Sequence, residues 1–213
     1  MKTFVLEGNF PSYNIETISP LENTGDVAEN FLPCPLLNVP DTVRTTRNRP
    51  FFIPDSMGEC RAQLHPAVRI GRLGRHIAPQ FAHRYYDALT LCVSFSDGAL
   101  LQRLRAAGLP WDLARAHDGS VCVGEMLVRE AEGCEMQTST MRLLVDGEEM
   151  VAASCDQLLC DVNRLIASIS CYYKLCDGDL ILCGTPSEGI RVGVGAHFEA
   201  YLDDRKLLDF YTK

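Results

Sequence analysis

Residues 177–186 read Asp-Gly-Asp-Leu-Ile-Leu-Cys-Gly-Thr-Pro (DGDLILCGTP). Asp177-Gly178 is a turn signal. Leu180-Ile181-Leu182 is a short apolar run of buried-strand type, and Gly184-Thr185-Pro186 ends it abruptly. A buried strand that stops in this way holds a hydroxyl and free backbone groups rigidly at a sheet end, a common place for a binding site. A core strand followed by a turn accounts for the same letters.

Around this stretch the chain reads as strands with few helices. Residues 3–6 (TFVL) form a first short strand, and residues 1–50 are otherwise a proline-rich, irregular arm. The strand at 63–70 (QLHPAVRI) contains Pro66, which lacks a ladder donor and suggests an edge or a bulge. A helix is expected over 78–89, with Pro79 in its first turn and Phe81, Tyr85 and Leu89 on one face. A strand follows at 90–95. Asp97 then caps a helix through Ala107, ended by Gly108 and Pro110. Strands are expected at 121–128 and 138–153, the second folded into a hairpin at Asp146-Gly147. Residues 157–173 carry the apolar stripe Leu158, Val162, Leu165, Ile166 and Ile169 of an amphipathic helix. A closing hairpin uses FEAYL and KLLDFY. Without regular βαβ alternation, the tally predicts an α+β, mainly β fold, with 1–213 as one domain and 51–213 as its core.

Length and composition bound the function. The chain has 213 residues, 46% of them hydrophobic, enough for one sizeable core. A net charge of −8 argues against a nucleic-acid partner. No apolar run nears the ~18 residues of a membrane-spanning helix. The opening MKTFVLEGNF lacks the length and cleavage site of a signal peptide, so a cytoplasmic setting is expected. The ten cysteines contain no C-x-x-C spacing and are read as reduced, mostly buried thiols. No G-x-S-x-G, H-E-x-x-H or P-loop signature occurs.

The decapeptide resembles the GDxIxTGTP signature of the fumarylacetoacetate hydrolase family. So do NRPFFIPD at 48–55, FAHRYYD at 81–87, GLPW at 108–111, DGS at 118–120 and VDGE at 145–148. The resemblance runs from Asn9 nearly to the C-terminus. It implies a mixed β-sandwich roll, usually a homodimer. It further implies Mg²⁺ or Mn²⁺ chemistry on small oxo-dicarboxylic acids such as acylpyruvates and oxaloacetate: hydrolysis, decarboxylation or isomerisation. The metal acts there as a Lewis acid on two enolate oxygens.

The family's metal ligands, a Glu-x-Glu pair and a later Asp, fall on Gln63, His65 and Cys92. A Mg²⁺ site stripped of every carboxylate loses its electrostatic attraction for a cation that already sheds water reluctantly. Of the other family positions, Asn9 and Thr185 match as substrate-binding residues, and Thr185 also has a catalytic place. The substrate-contacting Lys becomes Arg115, which with Thr185 takes a catalytic place by motif position, and an Arg becomes Ser96. Glu188 adds a carboxylate to the loop after the signature. The resemblance therefore implies a scaffold kept and a chemistry impaired, with no resident cofactor. Two alternatives stand beside it. One is an active enzyme with zinc on His65 and Cys92, or metal-free chemistry such as a Cys92–His65 nucleophilic pair. The other is a non-catalytic assembly partner of an active paralogue. A local shift of alignment would instead bring Glu59, Asp97 or Asp118 in as ligands. His76, His83 and His197 are assigned no role, and His117 is placed along the pocket beside Arg115.

Overall fold

The computed structural model describes residues 1–13, 35–45, 48–129 and 135–213. A mixed sheet is built on two long antiparallel strands, β4 (Cys60–Ile70) and β5 (Tyr86–Asp97). β10 (Leu180–Leu182), the strand of the decapeptide, lies antiparallel to β4 and parallel to β1 (Lys2–Leu6). β2 (Leu36–Pro40) pairs with β1. On the far side β6 (Val121–Val123) follows β5, and β3 (Arg44–Thr45) follows β6. Short strands β7 (Leu127–Val128) and β11 (Ile190–Arg191) add to β5 and β4. A second sheet has β8 (Thr140–Val145), β9 (Glu148–Ser154), β12 (His197–Leu202) and β13 (Arg205–Tyr211) in the order β13-β12-β8-β9.

Period-two alternation decides which residues meet. Ala62, Leu64, Val68 and Ile70 of β4, with Leu89, Leu91, Val93 and Phe95 of β5, point into the main core. There they meet Phe198, Ala200 and Phe210 of the second sheet and Val162, Leu165, Ile166 and Ile169 of the helix α2 (Val162–Tyr172). Phe95 stacks on Phe51 and meets Phe198 and Phe210 edge-on, which locks the two sheets together. The opposite face of the large sheet carries the candidate site.

The decapeptide is the hinge pin of this arrangement. Gly178 takes a φ of 81° in the turn. Buried Asp179 accepts from the backbone and side-chain nitrogens of Lys2 (2.7 and 2.8 Å) and from Cys176 N (2.9 Å), fixing where β1 starts. Beyond β10, Thr185 N donates to Gly8 O at 2.7 Å.

Several local expectations hold. Asp97 Oδ1 accepts from Leu100 N at 3.0 Å and caps α1 (Gly98–Ala106), and Gly108 ends it at φ 64°. Asp146 and Gly147 both have positive φ in the β8–β9 turn, as a two-residue hairpin needs. Others fail for physical reasons. Residues 78–89 are not one helix: a 3₁₀ turn, Pro79–Arg84, gives way to β5 at Tyr86, because β5 must extend to pair with all of β4. Pro66 lies in a central strand, not at an edge. Backbone N and C=O of a strand residue point to the same side, and Pro66 O accepts from Cys183 N (2.8 Å) just past the end of β10. The missing donor therefore faces the point where the neighbouring strand stops. The expected irregular arm contributes β2 and β3; its residues 14–34 and 46–47 lie outside the described part. Every described cysteine is a free thiol, and six of them are buried.

Candidate functional site

The β4–β5 register puts Gln63 opposite Ser94 and His65 opposite Cys92. The even spacing sends all four to the face away from the main core. The three positions on which the family's metal ligands fall are thus brought together. Continuing the alternation of Thr3 and Val5 on β1, Glu7 reaches the same region and is buried. A tight 3₁₀ turn at Asp112–Ala114 delivers Arg115, and Ser120 Oγ holds the Arg115 carbonyl at 3.2 Å.

The Arg115 guanidinium decides the electrostatics. One terminal nitrogen donates to Gln63 Oε1, and the other lies 2.8 Å from Glu7 Oε2. Tyr13 Oη donates to the same Glu7 oxygen at 3.1 Å, and Arg105 of α1 stands 3.8 Å from it. Burial first, and the Glu7 charge second, raise the Tyr13 phenol above its ordinary range. Gln63 spends its Nε2 on Ser187 O at 2.9 Å. His65 Nε2 is 2.8 Å from Ser94 Oγ, and among the described residues its Nδ1 has no partner in good hydrogen-bond geometry. Burial, then the Arg115 charge, push His65 down to about 3, against a smaller opposing backbone contact from Gly184. Cys92 lies in an apolar cluster with Val5, Val39, Val43, Val121 and Leu182, and burial pushes its thiol well above the usual range.

This donor set does not fit Mg²⁺ or Mn²⁺. It offers no carboxylate at the three positions, and a guanidinium cation already occupies the acceptor oxygen of Gln63. Zinc fares little better. A ligating thiol must give up its proton, and Cys92 is packed among Val5, Val39, Val43, Val121 and Leu182, surroundings that resist this. Nor do the substitute carboxylates reach the place. Glu59 binds Arg61 and Arg191, and Asp97 caps α1 from the other face of β5. Asp118 belongs to no cluster of three or more metal-ligating side chains among the described residues. Among the described residues the one cluster with metal-ligand spacing is His197, Glu199 and Asp209, on the second sheet, and Lys206 already bridges its two carboxylates.

Nucleophilic chemistry is equally poorly served. A base held near 3 accepts protons weakly at neutral pH, and Cys92 and Ser94 are both buried.

Asn9 and Thr185 take structural places. The Asn9 side chain donates to Cys160 O (3.0 Å) and Cys183 O (2.7 Å) and accepts from Cys160 N (2.9 Å), which uses both of its N–H donors. It adopts φ 66° to do so. Thr185 is buried and donates to Ser187 O at 3.3 Å. Together they clamp the end of β1 to the Gly184 turn. Gly184 has φ 134°, and a Cβ there would sit 2.7 Å from Asn9 Cβ and collide with the Gly8 carbonyl. Gly184→Ala is therefore expected to destabilise the fold by about 2–3 kcal/mol in urea unfolding; a neutral substitution would show the clamp to be slack. His117 lies near the Phe51 ring rather than along the cleft.

An open cleft of about 410 Å³ adjoins Arg115. Tyr13, Arg61, Leu101, Gln102, Arg105 and Glu188 are among its walls. On the sheet side, a void of only about 10 Å³, about the room of one water, remains beside Ser94, Arg115 and Ala116. Glu7, Tyr13, Ser94 and Arg105 were not anticipated from sequence. The Thr3-Val5-Glu7 alternation was the available signal for Glu7.

Residues 22–211 match the family model described as the fumarylacetoacetate (FAA) hydrolase C-terminal domain. The chain is 30% identical over 135 residues to a fumarylpyruvate hydrolase of Ralstonia sp, covering 63% of this chain and 66% of that one. It is 24% identical over 147 residues to an oxaloacetate tautomerase of Escherichia coli (strain K12), covering 69% and 67%. The matched stretches span about two thirds of the length of these relatives. The fumarylpyruvate hydrolase from Pseudomonas aeruginosa, crystallised with Mn²⁺ and pyruvate, superposes with a TM-score of 0.87 at 21% identity, over 100% of this chain and 89% of that one. At that identity the likeness establishes the fold.

Proposed function

Because this chain belongs to the fumarylacetoacetate hydrolase family, we propose that it handles the family's small oxo-acids without a divalent metal, as a binding protein with impaired turnover. The chain is related to enzymes named fumarylpyruvate hydrolase and oxaloacetate tautomerase. The observation that carries the proposal is the Arg115 guanidinium, hydrogen-bonded to Gln63 and paired with Glu7 on the sheet face where Gln63, His65 and Cys92 meet. A fixed cation there repels a second one, and the missing carboxylates remove what would attract it. Free thiols at every described cysteine suit a reducing compartment such as the cytoplasm. A homodimer is part of the same reading, with sedimentation velocity as its check.

The test is calorimetric titration of chelator-treated protein with Mn²⁺, then with Zn²⁺, followed by assays of oxaloacetate and fumarylpyruvate with and without metal. Neither metal is expected to bind stoichiometrically, and adding one should not restore turnover. Stoichiometric Mn²⁺ binding near micromolar affinity, with metal-dependent turnover, would overturn the proposal.

A further inference from the structure

Residues 60–86 contain five arginines and no acidic residue, in a chain that carries 28 acids and a net charge of −8. Two of the five are matched. Arg61 pairs with Glu59, and Arg69 donates to Asp87 through two hydrogen bonds of 2.9 and 2.8 Å. Arg72, Arg75 and Arg84 are exposed, and among the described residues none of them has a carboxylate partner. The Arg72 and Arg84 guanidiniums lie instead over rings, 5.8 Å from the Tyr85 centroid and 5.3 Å from that of Phe81.

The surface that carries these arginines is fixed from beneath. Gly74 and Leu175 exchange both backbone hydrogen bonds (3.0 and 2.9 Å), which brings exposed Lys174 up beside the 71–77 loop. Ser170 of α2 accepts from His76 N at its carbonyl (3.0 Å) and from Ile77 N at its hydroxyl (2.8 Å), and Ile77 and Ala82 are buried below. Leu73 in the loop and Phe81 in the 3₁₀ turn are left 60% and 47% exposed among the cations. Large apolar side chains between unmatched arginines are poorly placed in water. They are well placed where an apolar layer lies behind an anionic one.

We propose that the 71–77 loop and the 3₁₀ turn Pro79–Arg84 form a docking face for an anionic lipid surface. Arg72, Arg75, Arg84 and Lys174 engage headgroup phosphates, and Leu73 and Phe81 enter the acyl boundary. A headgroup layer answers both features at once, because a guanidinium fork matches phosphate and the acyl boundary covers the two apolar side chains. A soluble acidic segment answers only the first. A second copy of this chain fits worse, since a two-fold contact centred here sets the arginines against their own copies. The chain's acids elsewhere oppose docking weakly, because salt screens exposed charges beyond about 8 Å. The face joins β4 to β5 at the end of the pair remote from α1, so this inference stands apart from the metal-free reading above.

The test is co-sedimentation of the full chain with phosphatidylcholine vesicles containing about one third phosphatidylserine, against vesicles of phosphatidylcholine alone. The chain is expected to bind the anionic vesicles and not the neutral ones, and to bind less as salt rises. Arg75→Gln should lower the apparent lipid affinity roughly fivefold, and Arg72, Arg75 and Arg84 changed together to Gln roughly a hundredfold. Leu73→Ser and Phe81→Ser should each lower it roughly tenfold at unchanged charge. Arg103→Gln, an exposed arginine on α1 at the other end of β5, should change nothing. No binding to anionic vesicles overturns the proposal, and so does binding that survives the triple substitution. Soluble polyglutamate held as tightly as the vesicles, with no loss in Leu73→Ser, overturns the lipid assignment in favour of an acidic protein segment. A dimer that Leu73→Ser with Phe81→Ser splits in sedimentation velocity, without vesicle binding by the wild type, gives the face to a second copy and overturns it as well.

Discussion

Arg115→Ala is expected to lower the unfolding free energy by about 3–5 kcal/mol, the range for breaking a buried ion pair from one side. The reason lies in what the truncation leaves behind. Glu7 is 1% exposed, and its near neighbours apart from Arg115 are the Tyr13 hydroxyl and a distant Arg105. Without the guanidinium a carboxylate stays in a low-dielectric place with one neutral donor, and Gln63 Oε1 loses its partner as well. Arg115→Lys should fall between, because one ammonium cannot reproduce a fork that reaches Gln63 and Glu7 in different directions. The pair as a whole is a different matter. Removing both charges, as Glu7→Gln with Arg115→Met, should cost far less than Arg115→Ala alone, because desolvation offsets most of a buried pair's attraction. A cycle of single and double variants in urea isolates the coupling. Additive single effects would mean that Glu7 and Arg115 are hydrated separately, and the case for a fixed internal cation would fail with them.

How much of this was readable beforehand depends on whether local signals agreed with the pairing. Around β10 they did. Asp177-Gly178 turns the chain, three apolar residues fit between β1 and β4, and Gly184 breaks the run where φ 134° is needed. At 78–89 they did not, because Phe81, Tyr85 and Leu89 match a helical period by coincidence while the partner strand claims everything from Tyr86 onward. The site was legible as a place but not as a chemistry. Strand alternation put Gln63, His65 and Cys92 on one face. Nothing local said that the turn at Asp112–Ala114 aims Arg115 at Gln63, or that Glu7 would sit across from it. Asn9 and Thr185 carry residue types that bind ligands well, yet the same polar atoms equally clamp backbone. Only the positions of Cys160, Cys183 and Gly8 separate those roles.

Acid should destabilise this protein through His65, and the effect has a defined window. The ring is fully buried, its Nδ1 has no well-formed hydrogen bond among the described residues, and Arg115 is close enough to oppose a second positive charge. Its folded-state value of about 3 lies below the ~6.5 of an unfolded histidine. Between those two values the unfolded chain holds a proton that the folded chain refuses. Stability therefore rises with pH across the window and is complete above ~6.5. Going down, His65 removes up to about 1.4 kcal/mol per pH unit, on the order of 4 kcal/mol near pH 3.5. Carboxylates titrate in part of the same range, so the comparison must be with His65→Gln, in which they are retained. Plotted against pH, the stability difference between wild type and variant should be flat above ~6.5 and slope below it. Arg115→Met should narrow that window from its acid side, by removing the charge that helps keep His65 neutral. Parallel curves for wild type and His65→Gln would mean that the folded protein protonates this histidine as readily as the unfolded chain does. In that event water or a counter-ion reaches the β4–β5 face, and the place beside Ser94 is not the closed, cation-filled one described above.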